Sequence, residues 1–377
     1  MSSRVTFDGA PPPGTINLGI GQPSADLLPV ELVREASDAF FAAAEPYDLN
    51  YGVLQGDERF RGSLAAYLTR EYAIPASPDT LIVSGGNSQA LDLVSVVFAQ
   101  PGDTVFVEEP SYFLAFQIFR DHGLNIVSIP LDDEGISISH LEQALQEHTP
   151  AFLYTIPSYQ NPGGQCLPLE RRKRLVDLAK EHDFLIVADE VYQLLYYYDA
   201  PPPALGTMTD SDAVVSLGSF SKILAPAMRL GWVQTSPTLC EKILANGFVS
   251  SGGSINHIAS HIARHAIDLG MLDEHVKSLR HAYRARVEAM DEVLHKEFGS
   301  LAEWMKPEGG YFFWLEFAAG TDITPLRDKA RERETGFQAG AVFSSRGGLS
   351  NCMRLSFSHY DEDEIVEGIR RIRSLFE

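Results

Sequence analysis

Ser219-Phe220-Ser221-Lys222-Ile223-Leu224-Ala225-Pro226-Ala227-Met228-Arg229-Leu230-Gly231-Trp232 is the stretch whose reading decides what kind of chain this is. Lys222 stands there as an ammonium among small and apolar neighbours. Desolvation penalises the charged form of a lysine, so its amine tends toward the neutral, nucleophilic state. Neutral lysine amines form Schiff bases with carbonyl cofactors, pyridoxal 5'-phosphate (PLP) being the commonest. The same side chain could equally snorkel its charge to water along an apolar surface. The surrounding chain has to decide between the two.

Outward from this stretch, residues 80–235 alternate short β-branched or apolar runs with amphipathic segments. Strands are expected at 80–83, 104–108, 125–129, 151–155, 184–188, 213–217 and 230–234, and helices at 87–99, 112–121, 137–147 and 168–182. The run Phe184-Leu185-Ile186-Val187-Ala188 is apolar throughout, as suits a central strand covered on both faces. This alternation predicts an α/β fold with a mainly parallel, helix-covered sheet that binds its ligands beyond the carboxyl ends of the strands. After about residue 237 helical patterns dominate, notably 272–298. Strand-like runs at 310–317 and 352–357 and a terminal helix from Asp361 follow, which predicts a smaller α+β domain. The expected division is an N-terminal arm with part of the small domain (1–44), a large cofactor-binding domain (45–250) and a C-terminal small domain (251–377).

Composition narrows the function classes. Among 377 residues, 45% are hydrophobic and the formal net charge is -21. Such a field repels nucleic acid and anionic lipid, and no long Lys/Arg block offsets it. No apolar run approaches the ~18 residues that span a bilayer, and the first residues lack the apolar stretch of a secretory signal. Cys166, Cys240 and Cys352 lie far apart, as free thiols of a reducing cytoplasm would. The expectation is a cytoplasmic protein without a membrane or nucleic-acid partner.

Several residues at the expected strand ends carry chemistry. Ser84-Gly85-Gly86-Asn87-Ser88-Gln89 joins a strand to a helix, either a tight turn or a cradle in which the first helical amides point at a phosphate. Asp189 closes the 184–188 strand, where a carboxylate wants a cation such as a pyridinium nitrogen; a helix cap is the plainer reading. Asn161, in Asn161-Pro162-Gly163-Gly164, and Tyr192 could donate to a phenolate oxygen, or could serve turn chemistry and packing. Tyr112 could stack on a planar ring. Arg229, with Ser219 and Ser221, offers a donor fork and two hydroxyls to a phosphate dianion. Arg354, between apolar residues in Cys352-Met353-Arg354-Leu355, wants a carboxylate from protein or substrate.

In this order and spacing the blocks resemble the class I/II aminotransferases of PLP fold type I, and within them the aminoadipate/kynurenine-like branch. The resemblance implies a seven-stranded large-domain sheet, a homodimer with shared active sites, and amino acid and 2-oxo acid substrates. By it, Lys222 forms the internal aldimine and, once freed, moves the substrate Cα proton. Asp189 pairs the ring nitrogen, Asn161 and Tyr192 bond the ring's 3-oxygen, and Tyr112 stacks on the ring. Gly86, Asn87, Ser88, Ser219, Ser221 and Arg229 hold the phosphate, joined by Tyr51 from the neighbouring subunit. Arg354 takes the substrate carboxylate, with Asn161 and backbone near Gly21. The pattern departs in having Gly163 after Asn161-Pro162, in its Gly-Asn-Ser-Gln turn, and in a short segment before Asn17. The last weakens transfer of substrate identity.

Two other outcomes use the same residues: a PLP-dependent lyase or related carbanion chemistry, and a PLP-binding regulator without catalysis. The regulator is disfavoured by the charge and by the short segment before the matched region. Tyr112, Tyr196, Tyr197 and Phe343 could line a pocket for a large side chain or be core. His257, His261 and His265 repeat at helical spacing, but no Glu follows His257 as in zinc-protease helices, and no metal is expected.

Overall fold

A computed structural model of the chain describes residues 11–377. An eight-stranded sheet forms its centre, in the spatial order Leu81–Ser84, Gly231–Thr235, Val214–Ser219, Leu185–Asp189, Pro150–Thr155, Thr104–Glu109, Asn125–Asp132, Gly135–Ile136. The five strands from Val214–Ser219 to Asn125–Asp132 run parallel, and Gly231–Thr235 lies antiparallel to both of its neighbours. Seven strands are those the alternation predicts. The eighth, Gly135–Ile136, is a short antiparallel turn-back on Leu131 and Asp132. Ile186, Val187 and Ala188 have no exposed surface, and apolar clusters cover the sheet on both faces. That is why this strand reads as continuously apolar rather than alternating.

A second, antiparallel sheet has the order Ala302–Glu303, Phe312–Phe317, Cys352–Ser356, Gln338–Ala339. The helices Met271–Phe298 and Glu362–Arg373 accompany it in the C-terminal part of the chain. Glu362–Arg373 opens with a capping box in which Asp361 and Glu364 bond each other's backbone N–H, the reciprocal arrangement that stabilises a first turn. The N-terminal segment also belongs here. Ile16–Asn17 pairs in parallel with Thr335–Gly336, and the Ser356 N–H donates to Leu18 O at 2.6 Å. Residues 17–24 therefore run along the small sheet toward the carboxyl ends of the large one.

Candidate active site

Four parallel strands end in the residues that matter. Glu109 is followed by Tyr112, Thr155 by Asn161, Asp189 is itself a strand terminus, and Ser219 leads to Lys222. Beyond these ends the geometry brings the expected residues together. Lys222 Nζ donates to Gly21 O at 3.1 Å and lies 4.8 Å from the centre of the Tyr311 ring. Burial, helped by the nearby Arg354 guanidinium and opposed by Asp189, pulls its amine down to about 8. The desolvation inferred from its neighbours in sequence is thus produced by the fold.

Asp189 is buried, and its two oxygens are held separately. Asn87 Nδ2 donates to Oδ1 at 2.6 Å, and the Tyr154 hydroxyl donates to Oδ2 at 2.8 Å. Burial pushes this carboxyl upward, while the two donors and Lys222 pull it back. Tyr154 is absent from the sequence-level candidates. It lies opposite Val187 in the parallel pairing, so its side chain shares a face with Asp189, two residues on. A fully buried tyrosine hydroxyl needs a partner, but the register that supplies one is invisible in one dimension.

Arg354 is buried on the strand Cys352–Ser356. Its NH1 donates to Asn161 Oδ1 at 3.1 Å and its NH2 to Gly19 O at 3.0 Å, while Nε is buried without a partner. Phe312 lies 3.9 Å and Phe343 4.9 Å from its guanidinium carbon, measured to the ring centres. Burial brings the guanidinium down to about 10. Gly21 is where any side chain would collide: a methyl there would stand 2.9 Å from the Phe312 ring and 3.7 Å from Arg354. Tyr192 is buried against Tyr311 and Phe312. Burial raises Tyr112 to about 12, and Asp189 and Arg354 lie close enough to affect it in opposite directions.

The glycine-rich turn opens the helix Asn87–Phe98. Gly86 has φ +90°, and a methyl on it would stand 3.3 Å from the Arg229 guanidinium, so backbone freedom and close approach both demand glycine. Arg229 NH2 donates to Gly85 O at 3.3 Å, and Ser219 Oγ accepts from Ser221 N–H at 3.1 Å. The Asn87 side chain is bound to Asp189 and to Leu217 O, which leaves its backbone N–H at the helix start for an anion. Ser88 is exposed at the same helix start. Tyr51 is also exposed, at 83%.

Of the four aromatics considered for a pocket, Phe343 borders Arg354 and Tyr112 lies in the site. Tyr197 is core, its hydroxyl donating to Gly310 O. Tyr196 stacks on Arg280, with 3.7 Å between the guanidinium carbon and the ring centre.

These residues fit PLP: a buried carboxylate, a depressed amine, and an anion cradle under Arg229. The family described as aminotransferase class I and II matches residues 13–372, and the chain belongs to that family. It is a PLP-dependent aminotransferase, moving amino groups between amino acids and 2-oxo acids. Aromatic-amino-acid aminotransferase 1 of Thermococcus litoralis is 35% identical over 95% of this chain and 87% of its own length. The Pyrococcus horikoshii kynurenine aminotransferase, solved with PMP, superposes with a TM-score of 0.90 at 34% identity, covering 96% of this chain and 90% of that one. The α-aminoadipate aminotransferase of Thermus thermophilus, solved with N-(5'-phosphopyridoxyl)-L-leucine, gives 0.87 at 31% identity over 96% and 92%.

Proposed function

We propose that Lys222 carries PLP and serves as the acid-base group of a transaminase whose amino donor has a large, apolar or aromatic side chain. The observation that carries the catalytic part is Lys222 itself, its amine lowered to about 8 beside Asp189 and Arg354. PLP, when bound, supplies an electron-withdrawing ring that stabilises negative charge at the substrate Cα. Asp189, whose oxygens accept from Asn87 and Tyr154, would pair the protonated ring nitrogen. Lys222 accepts the Cα proton and returns it on the far side of the transfer, a task suited to a base whose pKa lies near neutrality. Arg354 grips the substrate carboxylate. Because Asn161 Oδ1 accepts from Arg354, the Asn161 amide nitrogen remains to donate to the ring oxygen, alongside Tyr192. Tyr112 stacks on the ring. Gly86, the backbone N–H groups of Asn87 and Ser88, Ser219, Ser221 and Arg229 hold the phosphate, as a helix N-terminus and a donor fork suit a dianion.

The aromatic wall of Phe312 and Phe343 around Arg354, together with the aromatic and kynurenine relatives, supports a large apolar donor. The aminoadipate relative favours an acidic one. A panel of amino acids with 2-oxoglutarate and pyruvate tests both. The right donor converts the cofactor's visible absorbance stoichiometrically and the oxo acid restores it, whereas ammonia release without an acceptor would mark a lyase.

Homodimerisation belongs to the same reading. Tyr47, Leu49, Tyr51, Val53 and Phe248 are at least 57% exposed, an apolar surface of the kind partners cover, and Tyr51 on it would reach the neighbouring subunit's phosphate. The domain division at residues 44 and 250 is supported by the two separate sheets. A cytoplasmic location is supported by three free cysteines; no described helix is long and apolar enough to cross a membrane.

A further inference from the structure

The helix His257–Asp268 brings two of its three histidines to the loop that precedes the helix Glu58–Tyr72. His261 has no exposed surface. Its Nε2 lies 3.3 Å from His257 Nε2, and its Nδ1 lies 3.9 Å from Asp57 Oδ1, the latter beyond hydrogen-bonding range. One donor atom from each of Asp57, His257 and His261 falls within 4.8 Å of the others. The Nδ1 atoms of both histidines and the neighbouring Ser254 hydroxyl are buried without partners. A buried polar group left without a partner is costly unless something satisfies it. His265 does not join them; its Nε2 pairs with Arg264 NH2 at 2.9 Å.

We propose that Asp57, His257 and His261 form a divalent transition-metal site of the zinc class, unrelated to the aminotransferase chemistry. Metal–nitrogen bonds of about 2.0–2.1 Å in a tetrahedron put ligand atoms roughly 3.3 Å apart, so an ion would draw together the one donor atom of each residue that now lies within 4.8 Å of the others. Phe40 stacks on His261 at 4.9 Å and 7°, which fixes the plane of that ring. Asp57 Oδ1 accepts from Phe60 N–H at 2.9 Å and Oδ2 from Arg59 at 3.3 Å; each carboxylate oxygen keeps a further lone pair. Two nitrogens and one carboxylate leave a fourth position for water. The ion would clamp the segment bearing Tyr51 onto the helix His257–Asp268.

The test uses the PLP-loaded enzyme, freed of metal by chelation and then titrated with Zn2+ by calorimetry and with Co2+ by visible absorption. The expected result is uptake of about one ion per chain with a rise in melting temperature. Asp57→Asn keeps a good helix cap yet should weaken uptake by at least about 100-fold, more than loss of an outer-shell partner costs. His261→Gln should do the same, and His265→Gln should change nothing. Absence of stoichiometric uptake, or equal uptake in Asp57→Asn, overturns the proposal. If His261→Gln fails to fold, Asp57→Asn alone decides.

Discussion

Tyr154→Phe removes one oxygen atom from the centre of the molecule and isolates a single effect. The hydroxyl is buried and its one partner is Asp189 Oδ2 at 2.8 Å. A hydrogen bond to a charged group contributes about 1.5–3 kcal/mol, which is roughly 1–2 pKa units. The donor favours the charged carboxylate, so its loss raises the Asp189 pKa and weakens the hold on a protonated ring nitrogen. If half of that energy reaches the bound cofactor, PLP dissociation rises about 3- to 12-fold, at about 1.4 kcal/mol per decade. The assay is a PLP titration of apo-protein followed by absorbance. Tyr67→Phe is the control, because the Tyr67 hydroxyl is buried without a partner and its loss should leave affinity unchanged. In an Asp189→Asn background the effect of Tyr154→Phe should vanish, as coupling between contacting groups requires. PLP affinity within twofold of native in Tyr154→Phe would refute this role for the hydroxyl.

Other perturbations probe the remaining parts. The rate at which PLP attaches to Lys222 should rise with pH up to about 8 and then level, because the neutral amine reacts and its pKa is about 8; a profile still climbing past about pH 10 would show an unperturbed lysine. Gly86→Ala forces a side chain into φ +90° and against Arg229. It should cost about 1–3 kcal/mol in urea unfolding and weaken PLP, whereas retained PLP affinity would remove Arg229 from the phosphate. Arg172 is fully buried and donates to Leu167 O, Pro157 O and Ser158 Oγ at 2.7–3.0 Å, with Glu190 at 3.9 Å. Arg172→Leu should therefore destabilise by about 3–5 kcal/mol by removing the cation beside the buried Glu190 carboxylate and the donor to these carbonyls, read as a lower urea midpoint.

Much of this could be read along the chain. The strand 184–188 was legible because burial on both faces removes polar alternation, and Lys222 because its neighbours cannot solvate an ammonium. What could not be read is pairing across distance. The Asn87 amide bonds Asp189, 102 residues away, a pairing that one dimension does not show. Tyr154 depends on parallel register, which no local pattern encodes. Tyr196 and Tyr197 carried the same aromatic signal as Phe343, yet only the last borders Arg354. Their strand-end loop turns them toward Arg280 and Gly310. Asp57 lies 3.9 Å from His261, a neighbour distant in sequence that the histidine repeat alone does not reveal.

The most direct test of the central claim is borohydride reduction of the PLP-loaded enzyme followed by peptide mass mapping. Cofactor mass fixed on the peptide containing Lys222, and lost when an amino donor is added first, is the predicted result. Label on another lysine, or none on Lys222, would contradict it.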